Sequence, residues 1–527
     1  MEYRLVLLSL GLLFGLAPLS SAQPNQEPGK DVSLGILGGI YRMGRTGSYP
    51  NGVCGLALST TSCNVGSIDL PWLAPMGADH PFIGFLVVRD EGGRMVQVSD
   101  RSFVKHGYYA LSSSQCSQCL HPSNGTFLGV GCSDTYGTGS NGDDYYLGPA
   151  EEVNPWTGTW DPVCSHFDRG EPVAPPPYDC DGNRSAIIPS DPLGHIIHVK
   201  DSDFQPAGTY YFSAQYVLRG EPDNVRENNQ GSRYFTRTWT GSSWSIGVPS
   251  EGSGNVKVEG SVLNRWSGAT VTSTTNGPFD GRVYLAIKTT DLGGGIFHYE
   301  YALHNRDNAR GIGSFSIPVC PGAAVTNESF RDVDSNAGND WTVSRTATDL
   351  VFSTTSNPLG WNSIFNFSFD AAAPPGGNVS ALLEQFDAGP GFDQFQLATL
   401  APMGATNQVD LGYATLGADG LYSELRSCGD LSSSGNGQLV LRFAQPNALS
   451  YLLFSLTSTP TPFWDSVLVP YPIQLYVPLY TSANGTLNFP VPGGRGPVDV
   501  WVQYLSADAT SPHGYAFSNG LKVFLEP

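Results

Sequence analysis

The chain has 527 residues, with 27 Lys and Arg against 47 Asp and Glu, for a formal net charge of −20. That balance excludes a phosphate-backbone partner, which needs a basic face. Hydrophobic residues at 40% and aromatics at 11% exclude a disordered acidic chain. With 63 glycines and 39 prolines, the chain is punctuated too often for long helices and suits many short strands joined by turns.

Residues 1–22 read as a secretory signal. Arg4 supplies the charge, Leu5 to Leu16 form an apolar core too short to span a bilayer, and Ser20, Ser21 and Ala22 precede a cut at Gln23. No transmembrane span is expected in the mature chain. The remaining length calls for roughly two to four domains. Residues 34–260 form a cysteine-containing, irregular β-rich region and the candidate functional domain. It carries a hairpin at 80–99 that turns through Asp90, Glu91, Gly92 and Gly93. Residues 172–177 and 240–254 read as loops. Residues 261–405 form a β-sandwich, with a hairpin at 281–305 turning at 291–295. The segment 361–371 alternates as a half-buried strand before the breaker Pro374, Pro375, Gly376, Gly377. Residues 409–527 form a C-terminal β-sandwich module of six strands, long enough to fold by itself. The predicted fold is therefore all-β and multidomain, antiparallel β-sandwiches behind an irregular N-terminal region.

Seven of the nine cysteines precede residue 181: Cys54, Cys63, Cys116, Cys119, Cys132, Cys164 and Cys180; Cys320 and Cys428 follow. In an exported chain these seven are disulfide candidates. An odd total leaves at least one free, intermolecular or bound to metal. Cys116, Cys119, His121 and Cys132 have zinc-like ligand types, and disulfides closing a loop explain them equally. Six glycosylation sequons begin at Asn124, Asn183, Asn327, Asn366, Asn378 and Asn484.

Histidine is scarce, with nine in all, so clustering carries information. On the strand at 296–304, His298, Glu300 and His304 share one face, and Phe297, Tyr299, Tyr301 and Leu303 share the other as candidate core. His304 lies about 13 Å beyond Glu300, so one ion could bind the first two only. The competing explanation is a polar outer face. His195 and His198 point opposite ways on a strand. His80, His106 and one of that pair, with His198 the candidate, would make a three-imidazole site for copper or zinc if the fold joins them. Calcium has the better logic in an acidic exported protein. Asp332, Asp334, Asn336 and Asp340 resemble the start of an oxygen-rich loop, although Ala337 stands where Gly is expected. The sequences Asp179–Asn183 and Asn141–Asp144 are similar fragments, and a solvated turn would explain each. A paired-carboxylate hydrolase could draw on Asp134, Asp143, Glu151 and Glu152. Tyr145, Tyr146, Trp156 and Trp160 suit sugar stacking or a core. No nucleophile elbow, phosphate loop or dinucleotide fingerprint occurs.

The ordered motifs TTSCNVG (60–66), Trp72, HPFIG (80–84), KHGYYAL (105–111), CSQC (116–119), LGVGCSDTYG (128–137) and LGPAEEVNPWTG (147–158) resemble those of uncharacterised secreted β-rich proteins of planctomycete-type bacteria. EYALHN (300–305) and the stretch 357–375 are similar to their continuation. FSNGLKVFLEP (517–527) resembles the end of a β-sandwich module shared by many exported proteins of those bacteria. The resemblance implies secretion and all-β architecture, and no activity. Related modules often carry a Gly-Cys pair where Gly417-Ala418 stands here, so no disulfide within the tail is expected for Cys428. The expected function is an exported or surface-associated protein of binding or structural type, recognising an extracellular polymer or protein. The alternative is an extracellular copper- or zinc-dependent metalloenzyme with its site in the N-terminal region.

Overall fold

The computed structural model describes residues 26–527 apart from 101–102, 335, 404–407, 418 and 434, and for Asn378 the backbone alone. The candidate signal segment lies outside these residues. The protein is all-β and multidomain, with about 48% strand and 7% helix. The α-helical segments described, such as His166–Arg169, are single turns of four residues.

The strands form three successive pairs of antiparallel sheets. In the first pair, Val32–Thr46, Val53–Asn64 and Ile197–Lys200, with Ser133–Tyr136, face a larger sheet built on Gln230–Trp239, Thr209–Val217, Phe82–Asp90 and Phe103–His106. Their facing side chains, among them Leu34, Ile40, Leu58, Phe85, Val87, Phe212 and Tyr216, make one core. The N-terminal region is thus itself a sandwich. Its irregular sequence is largely the excursion between Phe103–His106 and Ile197–Lys200. The hairpin predicted at 80–99 is present as Phe82–Asp90 paired with Met95–Gln97. The segment 240–254, predicted as loop, includes the strand Trp244–Gly247, because Trp244 buries its indole in the first core.

The second pair sets Asp280–Gly293, Ile296–Asn305, Ser363–Ala371 and Val325–Arg331 against a sheet containing Ile312–Pro318, Pro375–Gln385 and Gln394–Pro402. Tyr299, Tyr301, Leu303, Phe365, Phe367 and Phe369 fill the space between. The third pair sets Glu424–Gly429, Asn436–Arg442 and Leu487–Pro492 against a sheet containing Leu449–Ser455, Leu475–Tyr480, Val498–Ala507 and Gly520–Leu525. All six strands predicted in the tail are present.

The pairs are stacked on one another. Leu86, Val88 and Met95 of the first pair pack on Tyr284, Ala286, Ala302 and Ile364 of the second. Ser363–Ala371 is consequently buried along its whole length, on both faces, and not half-buried as its alternation suggested. Its polar face is satisfied across the seam: Gln97 Oε1 accepts from the Ile364 amide at 2.7 Å, and Asn366 Nδ2 donates to the Met95 carbonyl at 2.9 Å. Asn366, the first residue of a sequon, is buried, so the folded chain leaves no room for a glycan there. The second seam is more polar. Arg442 donates to Glu424 at 3.0 Å, to the Ser380 carbonyl at 3.1 Å and to Asp349. Arg426 donates to the carbonyls of Val319 and Thr348, both at 3.0 Å. Both guanidinium groups are buried; each finds fixed acceptors for part of its donors, while Arg426 Nε and Nη1 and Arg442 Nε are without one among the described residues.

Four disulfides join Cys63–Cys116, Cys119–Cys132, Cys164–Cys180 and Cys320–Cys428. One expectation is corrected here. Cys54, expected as a disulfide candidate, is a buried free thiol, since its strand points it into the first core. Cys428 makes no bond within the tail, as expected; it is bonded to Cys320 of the preceding pair, because the second seam brings the two strand ends together. The Cys116-Cys119-His121-Cys132 cluster holds two disulfides, which leave no thiolate for zinc.

Candidate functional site

The predicted three-imidazole site does not form. Phe103–His106 pairs with Phe82–Asp90 and sets His106 opposite Phe82. His80 Nε2 and His106 Nδ1 lie 3.0 Å apart in a direct hydrogen bond. Phe82, Trp160 and Phe167 pack around the two rings. Burial pushes His80 down to about 4 and His106 well below the usual imidazole range, with the Lys105 charge adding to both. Lys105 itself points to the other face and sits among the rings of Tyr108, Tyr136 and Tyr146. His198 is elsewhere, with Nδ1 3.7 Å from Asp100. Among the described residues the three histidines make no common ligand set.

His298 and Glu300 meet, but in a structural ion-pair network. His298 Nδ1 lies 2.7 Å from Asp370 and Nε2 3.4 Å from Glu300, and the two carboxylates hold the ring above its usual range. Glu300 is gripped by Arg94 across the first seam at 2.6 and 2.7 Å. His304 is separate, hydrogen-bonded to Ser261 Oγ at 2.8 Å and pushed down to about 3 by burial. The face carrying Glu300 and His304 is therefore not an outer face. The first pair of sheets covers it.

Asp332, Asp334 and Asp340 line an open groove that also includes Lys200 and Arg331, and Asn336 sits in the same turn, its amide bonded to Asp334. Local donors already use their oxygens: Asn357 Nδ2 on Asp332 at 2.7 Å, the Asn336 amide on Asp334 at 2.6 Å, and the Gly338 amide on Asn336 at 3.1 Å. Partial burial, with the charges of Asp334 and Asp340, raises Asp332. Their oxygens do not converge within ligand distance among the described residues. This is a self-satisfied turn. The hydrolase carboxylates are similarly engaged: Asp134 accepts from the Leu111 amide at 2.8 Å, Asp143 from Tyr145 at 3.0 Å and Glu152 from His166 at 2.8 Å. Trp156 and Trp160 are buried, and Tyr145 is exposed.

The convergence of ligand types lies in the excursion, at residues the spacing did not single out together. One donor atom each of His166, Glu171 and His195 falls within 4.8 Å of the other two. His195 Nε2 is 2.8 Å from Glu171 Oε2, and His195 Nδ1 faces Asp144 at 3.7 Å. Phe103 stacks flat on the His195 ring, with centroids 4.0 Å apart. His166 begins the turn His166–Arg169, which Ser165 caps and the Cys164–Cys180 bond closes. Its backbone amide donates to Glu152. Its Nε2 is buried without a hydrogen-bond partner. Burial, and then the neighbouring His195, pushes His166 down to about 4, so it is a neutral imidazole at neutral pH. Nearby, Asp168, Asp179 and Asp181 also bring carboxylate oxygens within 4.8 Å of one another, and Asp168 accepts from the amides of Cys164 at 2.6 Å and Gly182 at 3.1 Å. Scarcity of histidine was the one sequence signal for the first cluster. The separations from 166 to 171 to 195 match no strand or helix period.

No protein family and no curated protein matches this chain.

Proposed function

We propose that this is an exported or surface-associated β-sandwich protein of the binding type, whose recognition surface is an aromatic strip on the tail and whose partner is an extracellular polymer. The carrying observation is the strand Leu475–Tyr480, at one edge of the outermost sheet. Val477 and Leu479 turn into the tail core. On the alternate positions, Tyr476 is 62% and Tyr480 70% exposed. Tyr471, Ile473, Phe463 and Trp464 extend the exposed apolar surface of the tail. Two tyrosine rings about 13 Å apart on one strand face offer flat, amphipathic platforms with a polar hydroxyl, and such patches on monomers commonly mark interaction sites. Pro478, on the same strand, removes a backbone donor and so disfavours strand addition, leaving side-chain stacking as the mode.

Export is supported by four disulfides and by the resemblance to secreted β-rich proteins. No described helix is long and apolar enough to cross a membrane. The test is affinity electrophoresis of the mature protein through gels containing soluble polysaccharides. Retardation by at least one polymer, lost in the Tyr476→Ala/Tyr480→Ala variant, is expected. Absence of retardation throughout a panel of neutral, acidic and amino polysaccharides, or retention of it by the double variant, would overturn the proposal.

A further inference from the structure

We propose that His166, Glu171 and His195 bind one divalent transition metal of the zinc class, with Asp144 as the outer carboxylate that orients His195. Two imidazoles and a carboxylate are a known zinc ligand set, leaving a fourth position for water. Imidazole nitrogen selects first-row transition metals over calcium or magnesium, which take oxygen. The three donors already lie within 4.8 Å of one another. Zinc takes such donors at about 2.0–2.1 Å, and a bound ion would replace the direct contact between His195 Nε2 and Glu171.

A partner is missing at this point in the molecule. His166 Nε2 is buried and unpaired, and a buried unsatisfied polar atom costs about 1–3 kcal/mol. A metal satisfies it. Each donor is held from behind. The His166 turn is fixed by the Cys164–Cys180 bond and by Glu152. Glu171 exchanges backbone hydrogen bonds with Ala186 and Ile188, both at 2.9 Å. His195 is clamped by Phe103, and its backbone amide donates to Asp144 at 2.6 Å, which fixes the residue from the main chain and keeps the carboxylate beside the ring. Arg169 and Arg184 act against a cation near His166. Arg169 is paired with Glu152 at 3.1 Å, and Glu171 and Asp144 add two negative charges beside the site.

The site joins the His166 turn and Glu171 to the residues entering Ile197–Lys200, so the bound ion acts as a clip that holds the excursion onto the first sandwich. The experiment uses the mature, disulfide-bonded protein, dialysed against chelator and then titrated with zinc chloride by calorimetry at neutral pH. One equivalent is expected to bind and to raise the melting temperature, while calcium and magnesium chloride do neither. Glu171→Gln, a mild change, and His195→Ala should each weaken zinc binding at least 100-fold. Asp144→Asn, which removes a negative charge beside the site, should weaken it less than either ligand change. His198→Ala should leave it unchanged. Cobalt(II) gives a second readout on the unmutated chain: a visible spectrum of a low-coordinate nitrogen–oxygen site is expected. Failure of the unmutated protein to bind zinc, or undiminished binding by Glu171→Gln and His195→Ala, would overturn the assignment.

Discussion

Arg94, from the turn of the first hairpin, holds both carboxylate oxygens of Glu300, from the centre of the second pair of sheets, at 2.6 and 2.7 Å. Ser368 Oγ takes a further bond from the same guanidinium at 3.0 Å. Glu300 is 2% exposed, so its charge depends on this donor.

Removing Arg94 leaves a buried carboxylate with only the weaker contacts from His298 and Asn366, both at 3.4 Å. Arg94→Ala is expected to cost about 2 kcal/mol, less than a fully buried pair because Arg94 is partly exposed. Glu300→Gln in the Arg94→Ala background should recover part of that loss. Urea denaturation of the two single variants and the double variant measures the coupling. Simple additivity would refute it.

The thiol inventory is fixed by the disulfide pattern. Native protein should give no reaction with a thiol reagent, because Cys54 is buried and burial pushes its thiol up to about 12. Unfolded without reductant, the protein should give one thiol. Three or more would show that the pairing is wrong.

Stability should fall in mild acid through the buried neutral histidines. His304 titrates at about 3 in the fold against 6.5 for the free side chain, so the unfolded chain takes up the proton first. The contribution is complete above about pH 6.5 and is lost as pH falls, by about 1.4 kcal/mol per unit for one ring. His80, held down to about 4, acts in the same direction. Asp134 and Glu221, raised by burial to about 6 and about 7, oppose it. Comparing His304→Gln with the parent isolates the one ring. Between pH 6.5 and pH 5 the variant should lose about 2 kcal/mol less in urea. Equal losses would contradict the assignment.

The tail draws its core from its own strands, including Leu425, Leu441, Leu452, Val502, Tyr504 and Val523. Residues 408–527 expressed alone should therefore melt cooperatively. Their melting temperature should be lower than that of the same segment in the whole chain, since Arg426 and Arg442 lose the acceptors they find on Val319, Thr348, Ser380 and Asp349. Calorimetry decides this, and a broad transition with dye-binding surface would count against it.

The sequence discloses strands and which side chains share a face, because the period of two is local. Tyr299, Tyr301 and Leu303 were legible as core for this reason. What covers the opposite face is not local. Glu300 and His304 read as an outer surface, and they lie against the first pair of sheets. Cys320 and Cys428 are 108 residues apart, and only the stacking of the second and third pairs brings them together. His166, Glu171 and His195 lie in a segment whose path is set by a disulfide, caps and a proline-rich loop, and no periodicity encodes it.

The Cys320–Cys428 bond closes a covalent loop over the second seam. A single proteolytic nick anywhere from residue 321 to 427 leaves the two fragments tethered. Processing in that span would leave the particle whole in mass and mobility until reductant is added, and the tail would stay attached to the body that carries it even after the chain is cut.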